Sequence, residues 1–299
     1  MELWIPVTIA AASFQTVRFM LQKVVSTKQL SAGGATFARF VYSAPLIWAG
    51  LALWLWLAER PLPDLSAAFW GYGALGGMSQ ILATVAVVLL FRERNFAVGI
   101  TFKKTEVILA ALVGLIILGE GVTTGGLAAI LIGLAGVLLL SRNPGVEGGW
   151  LRHLTSRASV LGIGSGVLFA ISGVSYRGAS LEIAAEAPLR AAVTLAAVVT
   201  MQALAMAVWL SWREKGQIAA VWGARKTAVW IGLMSLGGSF CWFLAFTLQT
   251  AAYVKALGQV ELVLSLTASM LFFREKVTAR EVMGMALLGA SILLLIVVL

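Results

Sequence analysis

The sequence has 299 residues, of which 60% are hydrophobic and 12% charged, about half the ~25% charged share of soluble domains. Its net charge is nevertheless +9, from 22 Lys and Arg against 13 Asp and Glu. That composition excludes a soluble globular enzyme and a disordered chain, and the one cysteine, Cys241, excludes a disulfide-stapled domain.

A membrane helix needs about 20 mostly apolar residues, and ten such segments follow one another: 3–23, 35–57, 67–91, 97–118, 123–141, 158–177, 187–211, 228–250, 252–273 and 281–299. Unbroken apolar runs predict helices, since barrel strands would alternate. The first segment is read as a retained span: no basic stretch precedes Leu3 and no small-residue cleavage site follows. Its Gln15, Arg18 and Gln22 form one polar stripe, with Arg18 near enough to Lys23 to snorkel. Arg39 and Tyr42 stand early in the second span, and Arg39 has the same escape. The third holds Gln80 and the small-residue pair Gly73/Gly77. Gly71, Gly73 and Gly76 also satisfy GxGxxG, but without the strand-then-helix context of a dinucleotide site.

The fourth span opens AVGITFKKTEV, then runs apolar to Gly119. Glu106 therefore lies about 14 Å inside it at ~1.5 Å per residue. Lys103 shares a helix face with Glu106, while Lys104 points elsewhere. In the sixth span Gly162/Gly166 form a second small-residue pair, followed by Tyr176. Arg190 lies in the seventh span and Trp242 in the eighth. The ninth opens AYVKALGQVEL, placing Gln259 and Glu261 at the depth of Lys104 and Glu106. Lys255 stands close enough to the span's end to snorkel. Trp4, Trp56, Trp209 and Trp212 lie near span ends and read as interface anchors.

The connections after spans 1, 3, 5, 7 and 9 hold 14 of the 22 basic residues, whereas the opposite face holds Arg60 and Arg177. The positive-inside rule then predicts a multi-pass protein of a plasma (bacterial inner) membrane with both termini outside the cytoplasm. Basic residues split over five short loops do not make a nucleic-acid surface, so no nucleic-acid partner is expected. Within the spans, six basic residues against Glu106, Glu186 and Glu261 leave an excess of three positive charges. Buried ionisable groups are expensive, about 3 kcal/mol each on insertion scales, and they mark pathways or partners.

The halves resemble each other. Residues 106–123 (EVILAALVGLIILGEGVT) align with 261–278 (ELVLSLTASMLFFREKVT) at an offset of 155, pairing Glu106 with Glu261 and Glu120 with Glu275. Arg39 matches Arg190 at a slightly different offset. Five spans is an odd number, so the second copy inserts upside down. The expected fold is an all-α integral membrane protein of ten helices. Two inverted five-helix repeats, 1–141 and 158–299, are joined by a cytoplasmic linker at 142–157.

Leu118-Gly119-Glu120, its counterpart Arg274-Glu275 and the Gly-rich helix that follows resemble the drug/metabolite transporter superfamily, specifically its EamA-type ten-helix permeases. The likeness covers nearly the whole chain. It implies export of amino-acid-like or drug-like solutes. Glu106 and Glu261 match the Glu of the family's Glu-Pro, but Val107 and Leu262 replace the proline, so the usual cause of a helix break is missing. Lys104 is similar to basic residues that meet phosphate in the nucleotide-sugar and triose-phosphate branch. Family members commonly have cytoplasmic termini, against the charge count, and the count is preferred.

The expected function is a secondary transporter of a small organic metabolite by alternating access, with proton coupling open to Glu106. The alternative is an exchanger or flippase for an anionic or phosphorylated solute. Lys103, Lys104, Glu106, Gln259, Glu261, Arg18, Arg39, Tyr42, Gln80 and Trp242 are the expected substrate or coupling residues. No metal, cofactor or catalytic residue is expected: His153 is the only histidine and lies in a connection. The partners expected are the lipid bilayer, the solute and protons.

Overall fold

The computed structural model describes residues 2–90, 103–141, 157–264 and 279–298. The described residues form helices and no strand. In chain order the helices are α1 (Trp4–Lys28), α2 (Ala32–Val41), α3 (Ser43–Leu57), α4 (Ala67–Leu90), α5 (Glu106–Leu118), α6 (Thr124–Ser141), α7 (Arg157–Leu181), α8 (Ala187–Arg213), α9 (Gln217–Gly223), α10 (Arg225–Leu248), α11 (Ala251–Leu257) and α12 (Ala279–Val298). Five stretches are long and apolar enough to cross a membrane: Ala32–Leu57, Ala67–Leu90, Ser159–Leu181, Ala187–Arg213 and Arg225–Leu248. The fold is compatible with a membrane-embedded protein. Its outer surface presents Ile116, Val208, Leu293 and Val297, while Arg18, Arg39, Lys103 and Lys104 are buried. A water-soluble fold has the reverse pattern.

Local chemistry accounts for the helix ends. Ser31 caps α2, its Oγ accepting from the Gly34 N–H at 2.9 Å. Pro188 starts α8, where a missing N–H costs nothing. Gly119 closes α5 at φ +68°, a left-handed conformation that side chains resist, and the N–H of Glu120 then reaches back to the Gly114 carbonyl at 3.2 Å. The apolar segment 35–57, expected as one helix, divides at Tyr42. Pro45 has no N–H to give the Val41 carbonyl, so the ladder is interrupted there. A side chain at Gly232 of α10 would stand 2.4 Å from Tyr42 Cβ, so α10 packs closely on the bend. The polar connection expected over 212–227 contains the short helix α9.

The main helix contacts run α4 to α7, α1 to α10, α6 to α12 and α5 to α7. Gly73 and Gly77 of α4 face Val198 and its neighbours on α8, as a small-residue pair should. The GxGxxG glycines all lie inside α4, so no strand-to-helix turn exists there. Gly166 of α7 sits under the backbone just before α5: a Cβ there would be 2.9 Å from the Lys103 carbonyl oxygen.

That backbone is not regular helix. Lys104 and Thr105 form a turn between helical Lys103 and Glu106. Gly258 and Gln259 form a turn between α11 and a helical segment that resumes at Val260. In the second, the N–H groups of Gln259, Glu261 and Leu262 bond carbonyls three residues back at 3.0–3.2 Å, the tighter 3₁₀ pattern. Both helices are therefore interrupted beside their glutamate although neither has a proline there.

Candidate functional site

The two interruptions face each other across a buried ionic centre. Glu106 Oε1 is 3.5 Å from Lys103 Nζ, and its Oε2 is 3.8 Å from Lys255 Nζ. Lys104 forms a short ion pair with Glu261. Gln15 of α1 donates from Nε2 to the second oxygen of Glu261 at 2.7 Å. Lysines from each interrupted helix thus reach the glutamate of the other.

Lys255 does not reach an interface. Its ammonium lies 5.4, 5.2 and 5.7 Å from the ring centres of Phe169, Trp242 and Phe246. Those aromatic faces attract a desolvated cation and hold it at the centre.

A cavity adjoins the pairs, lined by Gln15, Arg18, Arg39, Gln80, Phe169, Tyr176, Ser239, Trp242 and Lys255 among others. It leaves about 20 Å³ for the centres of water-sized molecules, close to the ~10–15 Å³ that one ordered water needs. Among the described residues, little space is thus left beside the centre. A wider groove of about 490 Å³ beside Leu55–Arg60 is open surface away from these charges.

Neither arginine snorkels. Arg39 is 4% exposed and donates from Nε to Ser235 Oγ at 2.8 Å, from Nη1 to Thr84 Oγ1 at 3.0 Å and from Nη2 to Ser239 Oγ at 3.2 Å. Three neutral hydroxyls accept one bond from each of its three nitrogens and leave its charge uncompensated. Arg18 is 3% exposed, and its Nη1 has no hydrogen-bond partner. Among the described residues, the five cations Arg18, Arg39, Lys103, Lys104 and Lys255 meet only the carboxylates of Glu106 and Glu261, leaving three positive charges in excess.

Of the expected residues, Lys103, Lys104, Glu106 and Glu261 form the ionic centre, and Arg18, Arg39, Gln80 and Trp242 line the cavity. Gln259 is 4% exposed but faces a crevice toward Ile130 and Ser291 on α6 and α12. Tyr42 stands apart: its hydroxyl donates to the Val221 carbonyl at 3.3 Å. Arg190 leaves the charged set too, its Nε donating to the Ala185 carbonyl at 2.5 Å beside the start of α8. Trp56 and Trp212 are exposed as anchors should be, but Trp4 is buried and donates to Glu2. Gln15 and Lys255 were outside the expected set. Gln15 belongs to the α1 polar stripe, and Lys255 precedes Gln259 by one helical turn, so both had a signal in the sequence. His153, Arg274, Glu275 and Thr278 lie outside the described residues.

Past the other end of α5 from Glu106, a second polar set ties helix ends together. Arg177 Nε donates to both oxygens of Glu120 at 2.7 and 2.8 Å, and its Nη1 donates to the Phe246 carbonyl at 2.8 Å. The Tyr253 hydroxyl accepts from the Thr123 N–H at 3.0 Å. Glu120 and Thr123 thus bind α7, α10 and α11 to the α5–α6 connection.

These features define a class, a helical bundle compatible with a membrane and built around a buried, net-positive centre between two interrupted helices. A solved structure described as "Crystal structure of protein" is similar to the chain, with a TM-score of 0.71 and 14% identity over 99% of this chain and 96% of that one. The shared feature at that identity is the fold. No family model matches the chain, and no curated protein does.

Proposed function

We propose that the chain is a secondary membrane transporter of a small organic solute, an EamA-type member of the drug/metabolite transporter superfamily. In this reading ten spans form two inverted five-helix repeats, 1–141 and 158–299, joined by 142–157. They lie in a plasma (bacterial inner) membrane with both termini outside the cytoplasm. One observation carries the proposal: lysines and glutamates of the two interrupted helices pair reciprocally, Lys104 with Glu261 and Lys255 with Glu106. Such pairs hold two halves together in one state and release them when the halves part. Interrupted helices with ionisable residues beside a cavity are a recurring feature of transporter sites. The helix contacts support the repeat as well. Exchanging the first five spans for the last five turns the α4–α7 contact into the α10–α1 contact and leaves α6–α12 unchanged.

The mechanism is alternating access. The halves rock about the centre, and the cavity opens to one side at a time. The sequence has no Walker A motif, so energy comes from the gradient of the solute itself or of an exchanged ion. The test is flux into proteoliposomes of purified protein across a panel of amino-acid-like, drug-like and anionic solutes, with and without a pH gradient. Accumulation of none of them, by a protein that remains folded, refutes the proposal. Proton coupling is tested by Glu106→Gln. Loss of uphill transport with retained counterflow supports it, and an unchanged pH dependence refutes it.

The three-charge excess favours a second, narrower reading, an exchanger of anions. Uncompensated buried charge costs several kcal/mol per ion, so the empty carrier reorients slowly and the loaded one faster. Efflux of a preloaded anion then requires an anion on the opposite side. Equal efflux into anion-free buffer refutes exchange.

A further inference from the structure

Two buried donors on the cavity wall have no acceptor, Arg18 Nη1 and Trp242 Nε1, whereas among the described residues no fully buried side-chain acceptor of that wall lacks a donor. An unmade buried hydrogen bond is costly, more so at a charged group. The imbalance runs one way, toward a ligand that accepts. Arg39 on the same wall adds a positive charge that its three hydroxyl partners do not neutralise. Beside these groups, Trp242 stacks on Phe246 with ring centres 5.7 Å apart, and Tyr176 stacks on Phe243 at 4.2 Å.

We propose that this cavity binds an organic oxyanion, a carboxylate or phosphate ester, carried on a flat apolar body. The oxyanion accepts from Arg18 Nη1 and Trp242 Nε1 in the field of Arg39. The body lies against the two aromatic stacks, which must separate to admit it. This separation rests on the alternating-access reading, since the closed cavity has room for little more than one water. The lysines and glutamates pair in charge with one another, although Glu106 Oε2 accepts no hydrogen bond; these pairs govern closure, and Arg18 with Trp242 governs recognition.

The test is equilibrium binding to the purified full chain in detergent, read by calorimetry, with phenylacetate, phenyl phosphate, inorganic phosphate and phenethylamine as probes. At least one aromatic anion binds at least tenfold more tightly than phenethylamine, and comparison of the two anions separates carboxylate from phosphoryl preference. The aromatic ester binds more tightly than inorganic phosphate. Arg18→Gln weakens the preferred anion by about 10- to 100-fold, the range of a lost charge-assisted hydrogen bond. Trp242→Phe keeps the ring, removes the donor and weakens it less. If Arg18→Gln does not fold, Trp242→Phe and Arg18→Lys carry the test. Amine binding equal to that of both anions overturns the proposal, as does anion affinity within twofold of wild type in the folded variants. Inorganic phosphate binding as tightly as the ester overturns the apolar body. Arg18-dependent binding by a protein that transports nothing leaves this site standing and removes the transporter reading. Transport that persists with Arg18-independent affinity does the opposite.

Discussion

Glu106 stands between two buried ammonium groups, 3.5 Å from Lys103 and 3.8 Å from Lys255, with side chains that are 5%, 4% and 11% exposed. At an effective dielectric of about 20 each contact is worth roughly 4–5 kcal/mol before desolvation is subtracted. The net value of such a pair is far smaller. The loss on breaking it is not, because the remaining charge stays buried, and that loss is about 3–5 kcal/mol. Glu106→Gln keeps the shape and removes the charge, raising the excess at the centre from three to four. We expect destabilisation of about 3–5 kcal/mol, seen as a thermal midpoint in detergent lowered by roughly 10 °C. Adding Lys255→Met, which keeps the stem and removes one stranded cation, restores most of the loss. Glu186→Gln is the control. Its pair with Arg60 is half exposed, with side chains at 51% and 59%, and its removal costs less than about 1 kcal/mol. A Glu106→Gln midpoint equal to that of the wild type refutes this reasoning. So does a double variant no more stable than the single.

Gly166→Ala places a Cβ 2.9 Å from a backbone oxygen that cannot swing aside, so it destabilises by about 1–3 kcal/mol. Gly71→Ala, with nothing within 4 Å, leaves the thermal midpoint unchanged or slightly raised. Arg39→Lys replaces a fork that reaches α4 and α10 through three hydroxyls with a single ammonium. It lowers the midpoint by an amount corresponding to about 1–3 kcal/mol, and an unchanged midpoint speaks against the fork. Glu120→Gln removes the charge that Arg177 grips with Nε. It speeds limited proteolysis of the connection after α5, while cleavage at the wild-type rate shows that the tie is dispensable. On the orientation proposed from the loop charges, we expect a C-terminal alkaline phosphatase fusion to be active and a C-terminal GFP fusion to be dark. The opposite pair of results refutes the orientation drawn from the loop charges.

Much of the helical framework was legible in the sequence. An apolar run reports its own helix, because the backbone bonds lie within the segment. The segments 123–141, 187–211 and 281–299 accordingly match α6, α8 and α12 to within about two residues. The bend at Tyr42 departs from the single span expected over 35–57, although Pro45 carried a signal for it, since one missing N–H is a local fact. The interruptions at Lys104 and Gly258 were not legible, because no proline causes them. The first is a place where α7 comes within one missing Cβ of the Lys103 carbonyl, which only the packed bundle shows.

The charged centre divides the same way. The sequence by itself set how much positive charge to expect inside, because a count over apolar segments needs no partner assignments, and an excess of three is also found among the described residues. It also set Glu106 and Glu261 equally far into their apolar segments, because that distance follows from rise per residue. Tertiary structure alone decided which charges make up that excess. Arg190 and Glu186 fall at the end of a helix and leave it. Arg18, Arg39 and Lys255 stay inside, because hydroxyls on α4 and α10, an adjoining cavity and three aromatic rings meet them before an interface does. A long cation goes wherever its charge is best solvated, and the groups that solvate it come from helices distant in the chain.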